Sequence, residues 1–451
     1  MATQKEYYEK PVILRHTVGL TNKFGRNPAT TPMKMIDGAH ISKLIEDHGS
    51  PLYVVSEATL RRKYRDLKRA FESRYPTVQI SYSFKTNYLS AICATLQDEG
   101  AFAEVVSFFE YEIAQRLNYS GQDIIFNGPD KSKEHLEVAV DSGSIINVDS
   151  MEEIALLEEI AKEKGKVIEI GIRLNMELNY PPWSRFGFNY ENGQAFEAVK
   201  RAEINGLLKV VGLMTHAGTY VDDATIYQKM AIKYVEFYQA IHEKLGVTLK
   251  NIDIGGGFAT INTLHQSWLP GSQTCPSFDD YADAVCPILL AGFARMGVTP
   301  PRLFMEPGRA LVDEAMHLIA TVISAKRLTT GEKGLVVDAG VNLLSSNQWY
   351  RYEFAVAQEC GTMVENTNVF GNLCMNIDVL RSAVPLPALH RGDRIVVKNV
   401  GAYNFSQSLQ FIQFRPAIVM VRLNGDVDLI RKREDTDYLL RLEAVPQDLK
   451  K

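Results

Sequence analysis

The stretch Val210-Val-Gly-Leu-Met-Thr-His-Ala-Gly-Thr219 joins an apolar run to a polar turn that contains glycine, and the amphipathic stretch 224–245 follows it. This order predicts a buried strand, a loop and a helix. Similar units recur along the chain, with Met151–Lys164 as another predicted helix. The predicted strands are 78–84, 102–106, 124–127, 145–149, 167–175, 210–216, 252–254 and 303–306. Such alternation predicts an α/β fold with a (β/α)8 barrel of the TIM type.

The pattern changes after residue 310 to short β-rich runs separated by turn signals. These runs are 318–324, 334–338, 394–399, 417–423 and 427–430. Asn424-Gly425-Asp426 lies between the last two runs, and an Asn-Gly turn between alternating runs is a strong hairpin signal. We therefore expect a C-terminal antiparallel β domain.

The composition is that of a globular protein that binds small molecules. A length of 451 residues favours two domains, and the hydrophobic and charged fractions of 46% and 23% are ordinary for a folded protein. The net charge of −5 gives no reason to expect a nucleic acid or an anionic membrane as partner. No run of about 18 apolar residues predicts a membrane span. The expected partner is a small molecule or another copy of the chain.

The cysteines and histidines favour a reducing compartment and no metal. None of the nine histidines has the spacing of a metal site, and the polar N-terminus lacks the apolar stretch of a signal peptide. The cysteines are odd in number and show no CxxC spacing: Cys93, Cys275, Cys286, Cys360 and Cys374. We expect a cytoplasmic protein.

Six short motifs follow the predicted strands. They are Tyr82-Ser-Phe-Lys-Thr-Asn87, His216-Ala-Gly-Thr219, Gly255-Gly-Gly-Phe258, Glu306-Pro-Gly-Arg309, Gly371-Asn-Leu-Cys374 and Gly401-Ala-Tyr403. The first four would lie at the C-terminal strand ends, where TIM barrels build their active sites. The order and content of the six motifs resemble the fold-type III pyridoxal-phosphate (PLP) decarboxylases, the family of diaminopimelate and ornithine decarboxylases with an alanine racemase-like barrel.

The resemblance extends from about Leu44 to Arg431 and guides in part the count of eight strands. It implies PLP as the cofactor and a homodimer with shared active sites. It also implies a barrel over residues 45–310 and a β domain formed by residues 1–44 and 311–451.

Lys85 is the candidate that would bind the cofactor covalently. It follows an apolar strand, so we expect its ammonium to lie in a partly desolvated barrel mouth that lowers its pKa, as a Schiff-base lysine requires. A lone lysine at a strand end is more often a surface residue. The neighbouring motifs reverse those odds, because the family's cofactor lysine lies in a similar Tyr-x-x-Lys-x-Asn context.

The glycine run is the candidate phosphate loop. Gly255, Gly256 and Gly257 allow backbone N–H groups to close around an anion, although three glycines alone could equally form a tight turn. The resemblance adds three phosphate neighbours, which are Thr219, Arg309 and Tyr403.

Glu306, His216 and Glu104 are further candidates at the cofactor. By the resemblance, Glu306 keeps the pyridine nitrogen protonated, which favours decarboxylation over racemisation. An ion pair with Arg309, three residues away, is the alternative. His216 would stack on the cofactor ring, although a lone strand-end histidine is more often structural. Glu104 occupies the position of a family acidic residue, or is an incidental strand-end charge.

Cys374 corresponds to the cysteine that a partner subunit inserts into the active site in this family. There it would return a proton to the substrate carbon as a general acid. A free cysteine is more often a small buried hydrophobic residue, and that interpretation holds for the other four.

The motifs depart from the diaminopimelate decarboxylase pattern at the substrate's far end. Met375 follows Cys374 where that pattern has Glu, and Gln348 lies where it has Arg. Tyr352 and Glu353 are further candidate substrate residues, the latter near the acidic residue of ornithine-type enzymes.

We therefore expect PLP-dependent decarboxylation of a diamino acid or a substituted biosynthetic intermediate, with poor turnover of meso-diaminopimelate. A diaminopimelate decarboxylase and an amino-acid racemase remain alternatives. A non-catalytic regulator is disfavoured because neither Lys85 nor the phosphate motifs are lost.

Overall fold

The computed structural model describes residues 28–181 and 183–450. Residues 1–27 of the segment predicted to join the β domain therefore lie outside the described residues. None of the helices in the described ranges is long and apolar enough to cross a membrane.

Eight parallel strands form a closed barrel. They are Val78–Ser83, Phe102–Val105, Ile124–Phe126, Ile145–Val148, Ile168–Asn175, Leu208–Met214, Asn251–Asp253 and Arg302–Met305. The last strand pairs with the first through Leu303 and Val78, which closes the ring. Every strand lies within two residues of its predicted bounds. The predicted (β/α)8 barrel is confirmed.

The helices cover the outside of the barrel and join it to the second domain. The long ones are Glu57–Glu72, Ser90–Asp98, Phe108–Arg116, Lys133–Ser142, Met151–Lys164, Gln194–Glu203, Thr225–Leu245 and Phe278–Met296. Shorter ones are Ile41–His48, Gly271–Thr274, Arg309–Val312 and Thr436–Leu440. Met151–Lys164 has its predicted bounds because Ser150 accepts a hydrogen bond from the N–H of Glu153 and Gly165 ends the helix at a φ of 60°.

The second domain is a sheet. Its strands are Leu52–Ser56, Met316–Arg327, Lys333–Val337, Phe354–Val356, Val364–Phe370, Val379–Pro387, Arg394–Val397, Ala417–Val421 and Val427–Arg431. Two-residue strands elsewhere are Met35–Ile36, Ala39–His40, Phe188–Asn189, Thr263–Leu264 and Tyr350–Arg351. The last two strands of the sheet form the hairpin predicted around Asn424-Gly425.

The sheet is mixed rather than antiparallel, which corrects the prediction. Leu52–Ser56 pairs in parallel with Ala417–Val421, and Lys333–Val337 pairs in parallel with Val364–Phe370. The two strands of the first parallel pair are separated in sequence by the whole barrel and by most of the β domain. Such a long connection allows parallel pairing, which a tight hairpin does not.

The pairing of Leu52–Ser56 also bears on the domain boundary. This strand lies inside the predicted barrel range 45–310, yet it pairs with Met316–Arg327 in the other domain. Ile36 and Ile41 pack in the same apolar cluster as Leu52. We therefore propose that the described N-terminal residues up to Ser56 belong to the β domain.

The β domain contacts the C-terminal ends of the barrel strands. The N–H of Tyr403 donates to the carbonyl of Thr86 at 2.9 Å, and the side chain of Asn87 donates to the carbonyl of Gly401 at 2.9 Å. The Gly401-Ala402-Tyr403 motif is therefore held against the segment that contains Lys85.

Candidate active site

Lys85 lies in the single turn Phe84–Thr86 that follows the first barrel strand. Its Nζ donates to Oε2 of Glu104 at 2.7 Å. Glu104 belongs to the neighbouring strand Phe102–Val105 and is buried. Parallel strands that end at the same edge thus bring together an ammonium and a carboxylate that are 19 residues apart in sequence.

Two asparagines link this ion pair to Glu306. Nδ2 of Asn127 donates to Oε1 of Glu104 at 3.0 Å and to Oε1 of Glu306 at 2.6 Å. Nδ2 of Asn147 donates to Oδ1 of Asn127 at 2.9 Å, which fixes the orientation of that amide. Sequence analysis missed both asparagines, although Asn127 ends the predicted strand 124–127 and Asn147 lies inside the predicted strand 145–149.

The charge of Lys85 is stabilised rather than suppressed. Burial opposes the ammonium, but Glu104, Tyr403 and Glu306 outweigh burial and raise the pKa of Lys85 above its ordinary value. Burial likewise favours the neutral form of Glu104, yet Lys85 lowers the pKa of that carboxyl. The expected lowering of the Lys85 pKa is therefore wrong for the protein without a ligand, because the sequence did not reveal the buried carboxylate.

Glu306 lies in the opposite situation. Burial raises the pKa of Glu306 well above its ordinary value, and the carboxyls of Asp253 and Glu104 raise it further. Burial also raises the pKa of Asp253, to about 6. The protonated form of Glu306 is therefore favoured more strongly than that of an exposed glutamate.

His216 presents a neutral ring. Its Nδ1 accepts a hydrogen bond from the N–H of Gly256 at 3.1 Å, which leaves Nε2 to carry the proton. Burial lowers the pKa of His216 well below its ordinary value, and the charges of Lys85 and Arg173 lower it further. Trp183 contacts the ring edge-on, with centroids 5.2 Å apart.

The glycine run packs where no side chain fits. A Cβ on Gly256 would lie 2.1 Å from the carbonyl oxygen of Glu306, and a Cβ on Gly257 would lie 2.3 Å from that of Gly218. Gly257 also has a φ of +97°, which disfavours other residues. Close backbone approach therefore requires glycine here.

Only one of the three glycines lines the cavity. The N–H of Gly255 donates to Oδ1 of Asp253 at 2.8 Å, and the N–H of Gly256 is bound to His216. Gly257 faces the open space. Anion binding by the first two glycines would have to displace bonds within the protein.

Arg309 supplies a buried positive charge at the same edge. It follows Gly308 at the start of a short helix, donates to the hydroxyl of Tyr350 and lies 3.4 Å from Oγ1 of Thr219. Its guanidinium is 4.9 Å from the centre of the Tyr403 ring. It does not pair with Glu306, which removes the local ion pair as an alternative.

These groups surround one cavity of about 370 Å³ between the barrel and the β domain. Its lining residues are Ser83, Lys85, Thr86, Trp183, His216, Gly218, Thr219, Gly257, Glu306, Gly308, Arg309, Ser346, Gln348, Trp349, Tyr403 and Gln407. The buried Oγ1 of Thr86 has no hydrogen-bond partner within the described residues. The cavity thus offers a lysine side chain, a buried carboxyl group and a guanidinium to one ligand.

Two predicted substrate residues lie away from this cavity. Tyr352 is fully buried, and its hydroxyl accepts a hydrogen bond from Asn404 at 2.8 Å. The side chain of Glu353 is 66% exposed and pairs with Lys398 at 2.6 Å. Neither lines the cavity of this chain, so the structure does not bring them together with Lys85. The two side chains lie on opposite sides of a short extended segment. Their closeness to Gln348 in sequence therefore did not bring them into the cavity.

Cys374 and Met375 lie on an exposed loop and do not line the cavity of their own chain. The carboxylate of Asp378 holds this loop by accepting hydrogen bonds from the N–H groups of Leu373 and Val341, both at 2.8 Å.

The comparisons with known proteins agree with this geometry. Residues 57–313 match the family model of the pyridoxal-dependent decarboxylases, pyridoxal binding domain. The chain belongs to this decarboxylase family. The decarboxylase is 31% identical to the diaminopimelate decarboxylase of Methanothermobacter thermautotrophicus, over 92% of this chain and 97% of that protein. It is 29% identical to the diaminopimelate decarboxylase of Bacillus subtilis, over 90% and 94% of the two chains.

A solved structure shows the same likeness. The crystal structure of diaminopimelate decarboxylase from M. jannaschii in complex with L-lysine superposes with a TM-score of 0.84 and 29% identity, over 92% of this chain and 97% of that chain. The protein is a PLP-dependent amino-acid decarboxylase. The suspected family and its cofactor are confirmed.

The residues around the cavity fit PLP. Arg309, Thr219 and the N–H of Gly257 provide a cation and neutral donors for a phosphate dianion. Lys85 provides the amine for an aldehyde, and Glu306 provides a buried carboxyl group for a ring nitrogen. Within the described ranges, no group of three or more His, Cys, Asp or Glu side chains is arranged to hold a metal ion.

Proposed function

We propose that the decarboxylase removes the α-carboxylate of an amino acid in the cavity at Lys85, and that Lys85 is the lysine that binds PLP. The observation that carries this proposal is the single network of Lys85, Glu104, Asn127 and Glu306 at the strand ends, which faces Arg309 across one cavity. PLP, when bound, supplies an electron-accepting ring that stabilises the charge left on the substrate when carbon dioxide leaves.

Glu306 and Glu104 would control protons around that ring. Burial favours the protonated form of Glu306, and a ring nitrogen bound beside it would take up that proton and leave the carboxylate to stabilise the resulting charge. Lys85 must lose a proton before its amine can attack an aldehyde, and Glu104 is the nearest acceptor. A carboxyl rather than a guanidinium at the position of Glu306 favours decarboxylation over racemisation.

His216 and Arg309 would position the cofactor. The neutral imidazole offers a flat face because Gly256 and Trp183 fix the ring from two sides. Arg309, Thr219, Gly257 and the hydroxyl of Tyr403 would hold the phosphate end. Because these donors are already in place, binding of the phosphate dianion would require little rearrangement of the protein.

We also propose a homodimer in which Cys374 of each subunit returns the proton to the substrate carbon in the partner's site. The exposure of Cys374, its absence from its own cavity and the anchoring of its loop by Asp378 support this role. Exposed Met375 and Ile377 beside it give the loop an apolar surface suited to burial against a second subunit. The five free cysteines are consistent with a cytoplasmic enzyme.

Reduction with borohydride followed by peptide mapping tests the assignment of Lys85. We expect the cofactor label on Lys85, and we expect the Lys85→Ala variant to lose both the label and carbon dioxide release from amino acids. Lys131 is the matched alternative, since it is also buried and paired with a glutamate, Glu153. A label on Lys131 or on any other lysine would refute the assignment.

A further inference from the structure

The cavity contains three charged side chains, and the proposed function uses all of them. Lys85, Glu306 and Arg309 are the lining residues that carry an amine, a carboxyl or a guanidinium group. The proposed function assigns each of them to the cofactor. No other Asp, Glu, Lys or Arg of the described residues lines this cavity. The tail of the substrate side chain therefore meets no free charge from this chain.

The β-domain side of the cavity is polar but neutral. Gln348 and Gln407 line it at exposed positions, and within the described residues neither side-chain amide has a hydrogen-bond partner. Each amide thus has a donor and an acceptor available to a ligand. Trp349 on this side and Trp183 on the opposite loop add two partly exposed indole rings.

The loop that the proposed function places in the partner's site is uncharged as well. Residues 371–377 read Gly-Asn-Leu-Cys-Met-Asn-Ile. The next residue, Asp378, is buried and holds the backbone of its own loop. A second subunit that inserted this loop would bring no ion partner for a charged tail.

From these observations we infer that the preferred substrate is an amino acid whose side chain ends in an uncharged amide-like group, such as a carboxamide, a ureido group or an acylated amine. This inference rests on the proposed function and specifies its substrate class. A charged tail would lose hydration without gaining a partner, whereas a neutral amide pairs with Gln348 and Gln407 and its methylenes pack on the indoles. Diaminopimelate, for which the relatives are named, carries both an ammonium and a carboxylate at its far end.

The nearest basic residue on the Trp183 loop serves another cavity. Arg185 lines a neighbouring opening with Trp183, Ser184 and Phe186, and its guanidinium stacks on Phe186 at 4.5 Å. Trp183 belongs to the lining of both openings. The two openings therefore share the Trp183 indole, and Arg185 lines only the second of them.

Matched substrates that differ only in tail charge test the inference. We expect kcat/KM, measured by carbon dioxide release from the PLP-loaded enzyme, to be at least about tenfold higher for N6-acetyl-lysine than for lysine or meso-diaminopimelate. The corresponding product amines, N-acetylcadaverine and cadaverine, report binding without turnover. Their dissociation constants, measured by tryptophan fluorescence in a Trp268→Phe background, should differ in the same direction.

A charge introduced at Gln348 should change this preference. Gln348→Glu should reduce the ratio of N6-acetyl-lysine to lysine kcat/KM by at least about tenfold, because the new carboxylate pairs with the lysine ammonium. Gln239→Glu is the control. It makes the same substitution at an exposed helix position outside the cavity, and the ratio should not change.

The outcomes separate this inference from the proposed function. Faster release of carbon dioxide from lysine or diaminopimelate would overturn the neutral tail and leave the decarboxylase function intact. Preference for 2-aminoadipate would also overturn it and would point to Arg185. If no amino acid released carbon dioxide while N-acetylcadaverine still bound more tightly than cadaverine, the neutral subsite would stand and the proposed reaction would fail.

Discussion

At the scale of single residues, buried partners set the chemistry more than residue type does. Partly exposed Lys85 and buried Glu306 lie at the same strand edge, yet the pKa values of both are raised, which favours the charged form of the lysine and the neutral form of the glutamate. The difference arises because Glu104 lies 2.7 Å from Lys85, while Glu306 faces other carboxyls. Asn127, which donates to both carboxyls, holds them at fixed positions.

Replacing Glu104 should make Lys85 easier to deprotonate. Glu104→Gln removes the largest of the contributions that raise the Lys85 pKa, so burial, which lowers that pKa, gains weight. We expect the apoprotein to take up PLP faster at neutral pH and the midpoint of its pH–rate profile to move to lower pH. The profile is measured from the absorbance of bound PLP. Glu112→Gln, at an exposed helix position, is the control, and an unchanged midpoint in Glu104→Gln would show that Glu104 does not control Lys85.

At the scale of elements, the loop that carries Cys374 is held by one carboxylate and one glycine. Asp378 bonds the N–H groups of Leu373 and Val341. Gly371 packs so closely on this carboxylate that a Cβ there would lie 2.2 Å from Oδ2 of Asp378. The exposed part of the loop is therefore anchored at Gly371 and Asp378.

A methyl group at Gly371 should disturb this anchoring of the loop. We expect Gly371→Ala to displace Asp378, to cost about 1–3 kcal/mol of stability through overpacking, and to reduce carbon dioxide release at least about tenfold while PLP stays bound. Thermal unfolding, turnover and the cofactor absorbance measure the three effects.

Gly361→Ala is the matched control for Gly371→Ala. Gly361 is exposed on another loop of the same domain, and no atom lies within 4 Å of a Cβ built there. The control should keep its melting temperature and its turnover. Equal turnover in Gly371→Ala and Gly361→Ala would mean that activity does not depend on the anchoring of the Cys374 loop at Gly371 and Asp378.

At the scale of the whole molecule, the catalytic groups that we propose lie in two places. The cavity with Lys85 lies between the barrel and the β domain, and Cys374 lies outside it on an exposed loop of the β domain. A dimer of two-fold symmetry brings the loop of each subunit to an equivalent place on the other.

Mixed dimers should recover activity from two inactive variants. Lys85→Ala and Cys374→Ala subunits, exchanged in equal amounts, should give about a quarter of wild-type turnover, because half of the dimers are mixed and each has one intact site of two. Carbon dioxide release after confirmed subunit exchange measures the recovery. Activity that stays at the level of the separate variants would show that Cys374 acts within its own subunit or not at all.

Local patterns in the sequence determined the barrel and the positions of its motifs. Strand and helix periodicity depends on neighbouring residues, so all eight strands lay within two residues of their predicted bounds. Lys85, His216, Gly255 and Glu306 were placed at the strand ends for the same reason, since a barrel collects those ends on one face.

Only the tertiary structure decided which distant groups meet. The parallel pairing of Leu52–Ser56, the exposure of Glu353 and the burial of Tyr352 depend on contacts that no local pattern encodes. The raised pKa of Lys85 depends on Glu104 in the next strand, because a pKa follows from the charges and solvent around a group in space. Sequence spacing fixes the faces of an element, whereas packing fixes what those faces contact.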